Sequence, residues 1–186
     1  MPTPAATTPA SGPDLRYPIG KMERKPSLSS DERRAAIDAI ASAPAKLRTA
    51  VQGLSDSQLD TPYRPGGWTV RQLVHHVADS HMNAYTRFRL ALTEDNPTIK
   101  TYDEKTWAEL PDMRVLPVAV SLDLLDRLHE RLVFTLRATP DSAFARPLHH
   151  PDNGQMTLDA LLSVYAWHGR HHTAHVTALR ERMHWT

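Results

Sequence analysis

The sequence predicts an all-α protein, an up-and-down four-helix bundle, and three observations carry that prediction. Four long segments place apolar residues every three to four positions. Capping residues stand ahead of them at the spacing a helix start requires. No stretch alternates with the period of two expected of a half-buried strand.

The elements follow in order. Residues 1–14, "MPTPAATTPASGPD", hold too little apolar surface to offset the entropy of ordering, and a flexible tail is expected there. Residues 15–186 suit one domain with a real core. In "LRYPIGKMERKP" two prolines and a glycine exclude a helix, so an extended stretch laid over the domain is expected. The first helix opens at "SSDERRAAIDAIASAPAKLRTAVQGL", with Ser29 and Glu32 at capping-box spacing and Pro44 expected to kink or divide it. The turn "TPYRPGG" leads to Trp68 and to a second helix over about residues 69–93, with Thr69 and Gln72 again at capping-box spacing. After a short helical piece around "DEKTWAEL", the third helix reads "SLDLLDRLHERLVFTLRA", capped by Ser121 and ended by Pro140. "HHPDNGQM" reads as a turn, and the fourth helix runs from Thr157 without a proline.

Composition narrows the chemistry. Twenty-two Lys and Arg against 21 Asp and Glu give no basic field to gather phosphates, so nucleic acid is a poor partner and a small-molecule substrate a better one. With no cysteine, any metal site must be built from imidazole and carboxylate. No secretory leader and no long apolar span can be read, so a cytoplasmic protein with no membrane partner is expected.

Four of the eleven histidines fall in "WHGRHHTAH", residues 167–175. On a helical wheel Leu158, Leu161, Leu162, Tyr165, Val176, Leu179 and Met183 define the buried stripe of the fourth helix. His172 lies within it and His168 beside it one turn earlier, while His175 and His171 lie toward the margin. The spacing i, i+4 lets His168 and His172 share one ion, or leaves them as core histidines bonded to neighbours. On the second helix "HHVADSH" offers His75, His76 and His81. By periodicity His81 is the best buried of these, with His76 to one side near Leu73 and Ser80, and the third ligand is left open. Asp79 faces away from the stripe. His149 and His150 read as surface residues, and His129, in "DRLHER", as solvated. Trp68, Tyr85, Trp107 and Trp167 read as packing residues first, with Trp107 a candidate for a pocket mouth.

The stretches "LRYPIG", "SDSQLDTPYRPGGWTVRQLVHHVADSHMNAYTRFRLALTE", "YDEKTW" and "WHGRHHTAHVTALRERMHW", in that order, resemble the DinB-like superfamily and within it the YfiT-like metal-dependent hydrolases. The resemblance implies a four-helix bundle holding one divalent ion, zinc or nickel, on three histidines. It assigns His76 from the second helix, and His168 and His172 from the H-x-x-x-H pair of the last, with His175 where the family often has glutamine. It also implies a homodimer, to which the broad apolar surface of the fourth helix, with Val164, Ala166 and Ala178 off the main stripe, adds.

Three neutral imidazoles leave a coordination position for water or substrate, the mark of a catalytic rather than a closed structural site. Water bound there would have its pKa lowered toward about 7, which is the hydrolase expectation. The same position could take a low-molecular-weight thiol as thiolate, giving a thiol S-transferase of the kind some relatives are. Arg71, Arg87 and Arg89 are candidates for holding such a cofactor. A non-catalytic bundle stabilised by metal is the third reading, favoured if His81 or His175 were a fourth ligand.

Overall fold

The computed structural model describes residues 14–186, so the tail expected over residues 1–14 lies, but for Asp14, outside the described residues. Four long helices make the body: α1 (Ser30–Val51), α3 (Val70–Thr93), α6 (Val118–Ala138) and α7 (Leu158–Met183). Short helices α2 (Asp56–Leu59), α4 (Glu104–Trp107) and α5 (Asp112–Val115) sit in the connections, and a 3-10 turn spans Asp141–Ala145. The helix α1 packs against α6 and α7, and α3 packs against the same two. Around the bundle the order is therefore α1, α6, α3, α7, with the consecutive long helices α1 and α3 on the diagonal.

Local chemistry sets most boundaries. Ser29 and Glu32 form the capping box of α1, and Thr69 and Gln72 that of α3, each satisfying two backbone donors at the helix start. Thr157 caps α7 by accepting from the N–H of Ala160. Three expectations need correction. Pro44 does not divide α1, which runs through it; the missing N–H instead leaves the Ile40 carbonyl, four residues earlier, without its helical donor. Ser121 does not cap the third long helix, which starts at Val118 behind Pro117; its hydroxyl is buried 2.7 Å from His75 Nδ1. The segment read as a turn is a hairpin, β1 (Pro147–His150) paired antiparallel with β2 (Gly154–Thr157). Its strands are four residues long, too short to display alternation, yet Leu148 and Met156 pair across it and enter the core. A parallel bridge to the preceding loop holds it, with the Ile99 N–H donating to His149 O and the His149 N–H to Pro97 O.

The core divides in two. One apolar cluster gathers Phe88, Leu132, Leu136, Phe144, Leu158 and Tyr165; the other gathers Leu47, Val70, Val74, Leu122, Leu125 and Leu179. Between them lies a layer of histidines, including His81 on α3, His129 on α6, and His168 and His172 on α7. Val164 and Ala166, whose placement off the main stripe pointed to self-association, are used inside the chain: Ala166 belongs to the first cluster and Val164 packs on it. Of the three residues off the stripe only Ala178 belongs to neither cluster, so the homodimer expectation rests chiefly on the resemblance.

Candidate metal centre

The histidine layer opens on one side to a cavity of about 510 Å³ between α3 and α7. One wall is made by His76 from α3 and by His168, His171, His172 and His175 from α7. The mouth comes from segments outside the long helices: Arg16 and Tyr17, Tyr63 and Arg64, Gly66 to Trp68, and Glu104 with Lys105 from α4. Trp167 completes it. The turn at the mouth needs its glycines, because Gly66 has φ +67° and a Cβ on Gly67 would lie 2.8 Å from Arg64 Cγ.

His76, His168 and His172 each bring one ring nitrogen to the cavity, and those three atoms lie within 4.8 Å of one another. Ring centroids are 4.4 Å apart for His168 and His172, 5.0 Å for His76 and His172, and 5.4 Å for His76 and His168. Trp68 packs on His76 at 4.6 Å. His76 and His172 find no hydrogen-bond partner for their ring nitrogens among the described residues, and His172 Nδ1 is buried without one. Buried polar atoms rarely go unpaired, and three converging imidazole lone pairs are the donor set a borderline divalent cation takes. The residues present fit such an ion.

His81 is fully buried, as its periodicity indicates, but it does not face the cavity. Its Nδ1 is 2.8 Å from His129 Nε2, its Nε2 is 3.1 Å from His168 Nδ1, and His129 Nδ1 is 2.7 Å from the Ile40 carbonyl oxygen. His129 is accordingly a core residue at 2% exposure, not a solvated one. Its place in a charged run, "DRLHER", hid it. His175 and His171 both line the cavity and pair with each other, Nε2 to Nε2, at 3.0 Å. Among the described residues neither joins the cluster of three.

The arginines proposed for a cofactor are committed elsewhere. Arg71 is held by Asp56 and Asp60, Arg87 by Tyr165 Oη and Lys100 O, and Arg89 by Tyr85 Oη. In their place Arg64 and Lys105 line the mouth, and neither is seen in an ion pair among the described residues. Trp107 does not reach the cavity and packs on Tyr102 at 4.6 Å. Trp68 and Trp167 do reach it, having been read as packing residues first. Asp79 is not among the cavity residues; burial, reinforced by Asp112, raises its pKa to about 6.

Burial keeps the histidine layer neutral. It holds His76 down at about 4 and His171 at about 4, and with repulsion from His171, Arg64 and Arg182 it takes His175 to about 3. His168 and His172 are pushed well below the usual 6.5 by burial and then by neighbouring imidazoles. Neutral rings are the form that binds metal. In the metal-free protein the unfolded chain takes up these protons near 6.5, whereas in the folded protein His76 resists until about 4 and the other rings are also held below 6.5. Between those values the unfolded state carries more protons, so stability falls as the pH falls through the window. Urea midpoints of metal-free protein should be clearly lower at pH ~5 than at pH ~7.5, and an equal midpoint would contradict the assignment of these rings as neutral.

Fold and cavity together define a helical bundle with an open three-imidazole centre. The chain belongs to the DinB superfamily, whose family model matches residues 39–176. It is 54% identical over 172 residues to a protein of Bacillus cereus named "Putative metal-dependent hydrolase", covering 92% of this chain and 99% of that one. A relative of the same name in Bacillus mycoides is 53% identical over the same length, with the same coverage of each chain. Among solved structures it matches YfiT from Bacillus subtilis, described as "a probable metal-dependent hydrolase with an unusual four-helix bundle topology", with a TM-score of 0.90 and 50% identity. That match covers 92% of this chain and 99% of YfiT.

Proposed function

We propose that the protein is a metal-dependent hydrolase in which His76, His168 and His172 hold one divalent ion, zinc or nickel. The observation that carries this reading is the convergence of three neutral imidazoles, two of them without any hydrogen-bond partner among the described residues, on one point of a cavity large enough for a small molecule. When bound, such an ion supplies Lewis acidity to a carbonyl or phosphoryl oxygen and activates water. The chain's own residues then bind and orient the substrate. Arg64 and Lys105 offer cationic groups at the mouth, which suits an anionic substituent. Trp68, Tyr17 and Trp167 give it an apolar wall.

Three protein ligands rather than four favour catalysis over a purely structural ion. Arg64 and Lys105 also suit a carboxylate-bearing thiol, and thiol S-transfer is the second reading. No helix of the described residues is long and apolar enough to cross a membrane. A cytoplasmic location is part of the proposal, in keeping with a chain free of cysteine. The test uses protein stripped of metal and reloaded with zinc or nickel, assayed against ester, amide and phosphate substrates and against thiol transfer to an electrophile. Hydrolysis that needs the ion and is lost with His168→Ala supports the first reading. Thiol transfer without hydrolysis replaces it with the second, and loaded protein inactive in all of them removes both.

A further inference from the structure

We infer that His129 and His81 are positioning residues that fix the tautomer of His168, so that its Nε2 presents a lone pair to the cavity. The direction of every bond follows from one fixed point. Pro44 has no N–H for the Ile40 carbonyl, and that oxygen, which can only accept, lies 2.7 Å from His129 Nδ1. His129 Nδ1 must therefore carry the proton. A neutral imidazole has one N–H, so His129 Nε2 is an acceptor, and His81 Nδ1 at 2.8 Å donates to it. His81 Nε2 is then the acceptor, and His168 Nδ1 at 3.1 Å donates in turn. What remains on His168 is an Nε2 lone pair, with which a neutral imidazole can take a metal; the Ser80 hydroxyl, 3.4 Å away, can donate to that lone pair in the metal-free protein and would have to turn away when an ion binds.

Without the anchor the opposite chain is equally good in isolation: His81 could donate from Nε2 to His168 Nδ1, forcing the proton onto His168 Nε2, where it would oppose an ion. The Ile40 carbonyl excludes that arrangement. Oriented partners behind a ligating histidine commonly contribute roughly 10- to 100-fold to metal affinity. Here the partner is two imidazoles and a carbonyl rather than a carboxylate, so the ligand is fixed with no charge added to the core.

The inference rests on His168 being a ligand, and its test reads the two separately. Full-length protein with ¹⁵N-labelled imidazoles, freed of metal by chelation, is examined by long-range proton–nitrogen NMR. His168 is expected as the Nδ1–H tautomer; finding it as Nε2–H overturns the inference whatever the metal does. Zinc affinity is then measured by chelator competition. His129→Leu removes the acceptor for His81 and should lower affinity roughly 10- to 100-fold with His168 shifted toward Nε2–H. His129→Gln keeps an oxygen near the Nε2 position and should restore both to near the parent. Equal affinity and an unchanged tautomer in His129→Leu would also overturn it. Should the leucine variant not fold, the parent spectrum and the glutamine variant decide. A parent with the Nδ1–H tautomer that binds no zinc would sink the hydrolase reading alone.

Discussion

Replacing His172 by alanine should strip the protein of its metal while leaving the bundle folded. The parent, saturated with zinc or nickel and dialysed, is expected to retain about one equivalent by mass spectrometry; the variant should retain almost none. His172 is close to both other candidate ligands, 4.4 Å from His168 and 5.0 Å from His76 by ring centroid, and its loss leaves one imidazole on each of the adjacent helices α3 and α7. Folding should suffer less than for an ordinary core truncation. The cavity left by the ring is destabilising, but His172 Nδ1 is buried without a partner, and removing an unsatisfied group recovers part of that cost. Melting temperature offers a second readout, since a ligand that binds only the folded state stabilises it in proportion to the logarithm of its concentration. Zinc should raise the melting point of the parent and not of the variant. A folded parent that retains neither metal would make the histidine layer a packed polar core.

The largest loss of stability is expected far from the cavity, at Asp159. Its carboxylate, 3% exposed, accepts from Arg33 Nε and Nη2, both at 2.9 Å, and from the Leu28 N–H at 3.0 Å. That contact ties the first turn of α7 to the first turn of α1 and to the segment before it. Asp159→Ala would leave the buried Arg33 guanidinium with the exposed Asp141 and the Leu28 carbonyl as partners. Breaking a buried ion pair from one side costs about 3–5 kcal/mol. For a chain of this length the melting point should drop on the order of 10 °C. Replacing both partners, Arg33→Met with Asp159→Leu, should recover much of the loss, because the pair's desolvation cost disappears with it. A single variant that melts with the parent would show that Asp141 suffices. Zinc binding should be unchanged, since the pair sits in the first turn of α7, about 20 Å along its axis from His172.

Much of the bundle can be read from the chain because helix signals are local. Thr69 with Gln72 and Ser29 with Glu32 mark their helix starts within four residues, and the structure places caps at those positions. What could not be read depends on partners distant in sequence. Ser121 looks like a cap until His75 is seen to hold it inside, and "HHPDNGQM" looks like a turn until Leu148 and Met156 meet across it. His129 reads as solvated because its neighbours are charged, although its own face is turned inward. The site shows the same division. Periodicity finds the deepest histidine of α3, which is His81, but the ring at the cavity is His76, on a flank that only the seam with α7 makes interior. The stretches that carry the family resemblance all reach the cavity: Arg16 and Tyr17, Tyr63 to Trp68, Glu104 and Lys105, and the histidines of α7. Residues of a shared site resemble one another for chemical reasons that no wheel displays.

The bonds from Ile40 through His129 and His81 to His168 also bear on why this arrangement of helices forms at all. They visit α1, α6, α3 and α7 once each, in the order in which those helices stand around the bundle. Apolar faces tolerate axial sliding, since one leucine layer resembles the next. This chain of polar atoms does not. Shifting any one helix by a turn, about 5.4 Å, would break a link and strand buried nitrogens at a cost of about 1–3 kcal/mol each. Acting across the gap between two greasy clusters, the links work like the wards of a lock, admitting one vertical alignment of the helices and refusing its neighbours.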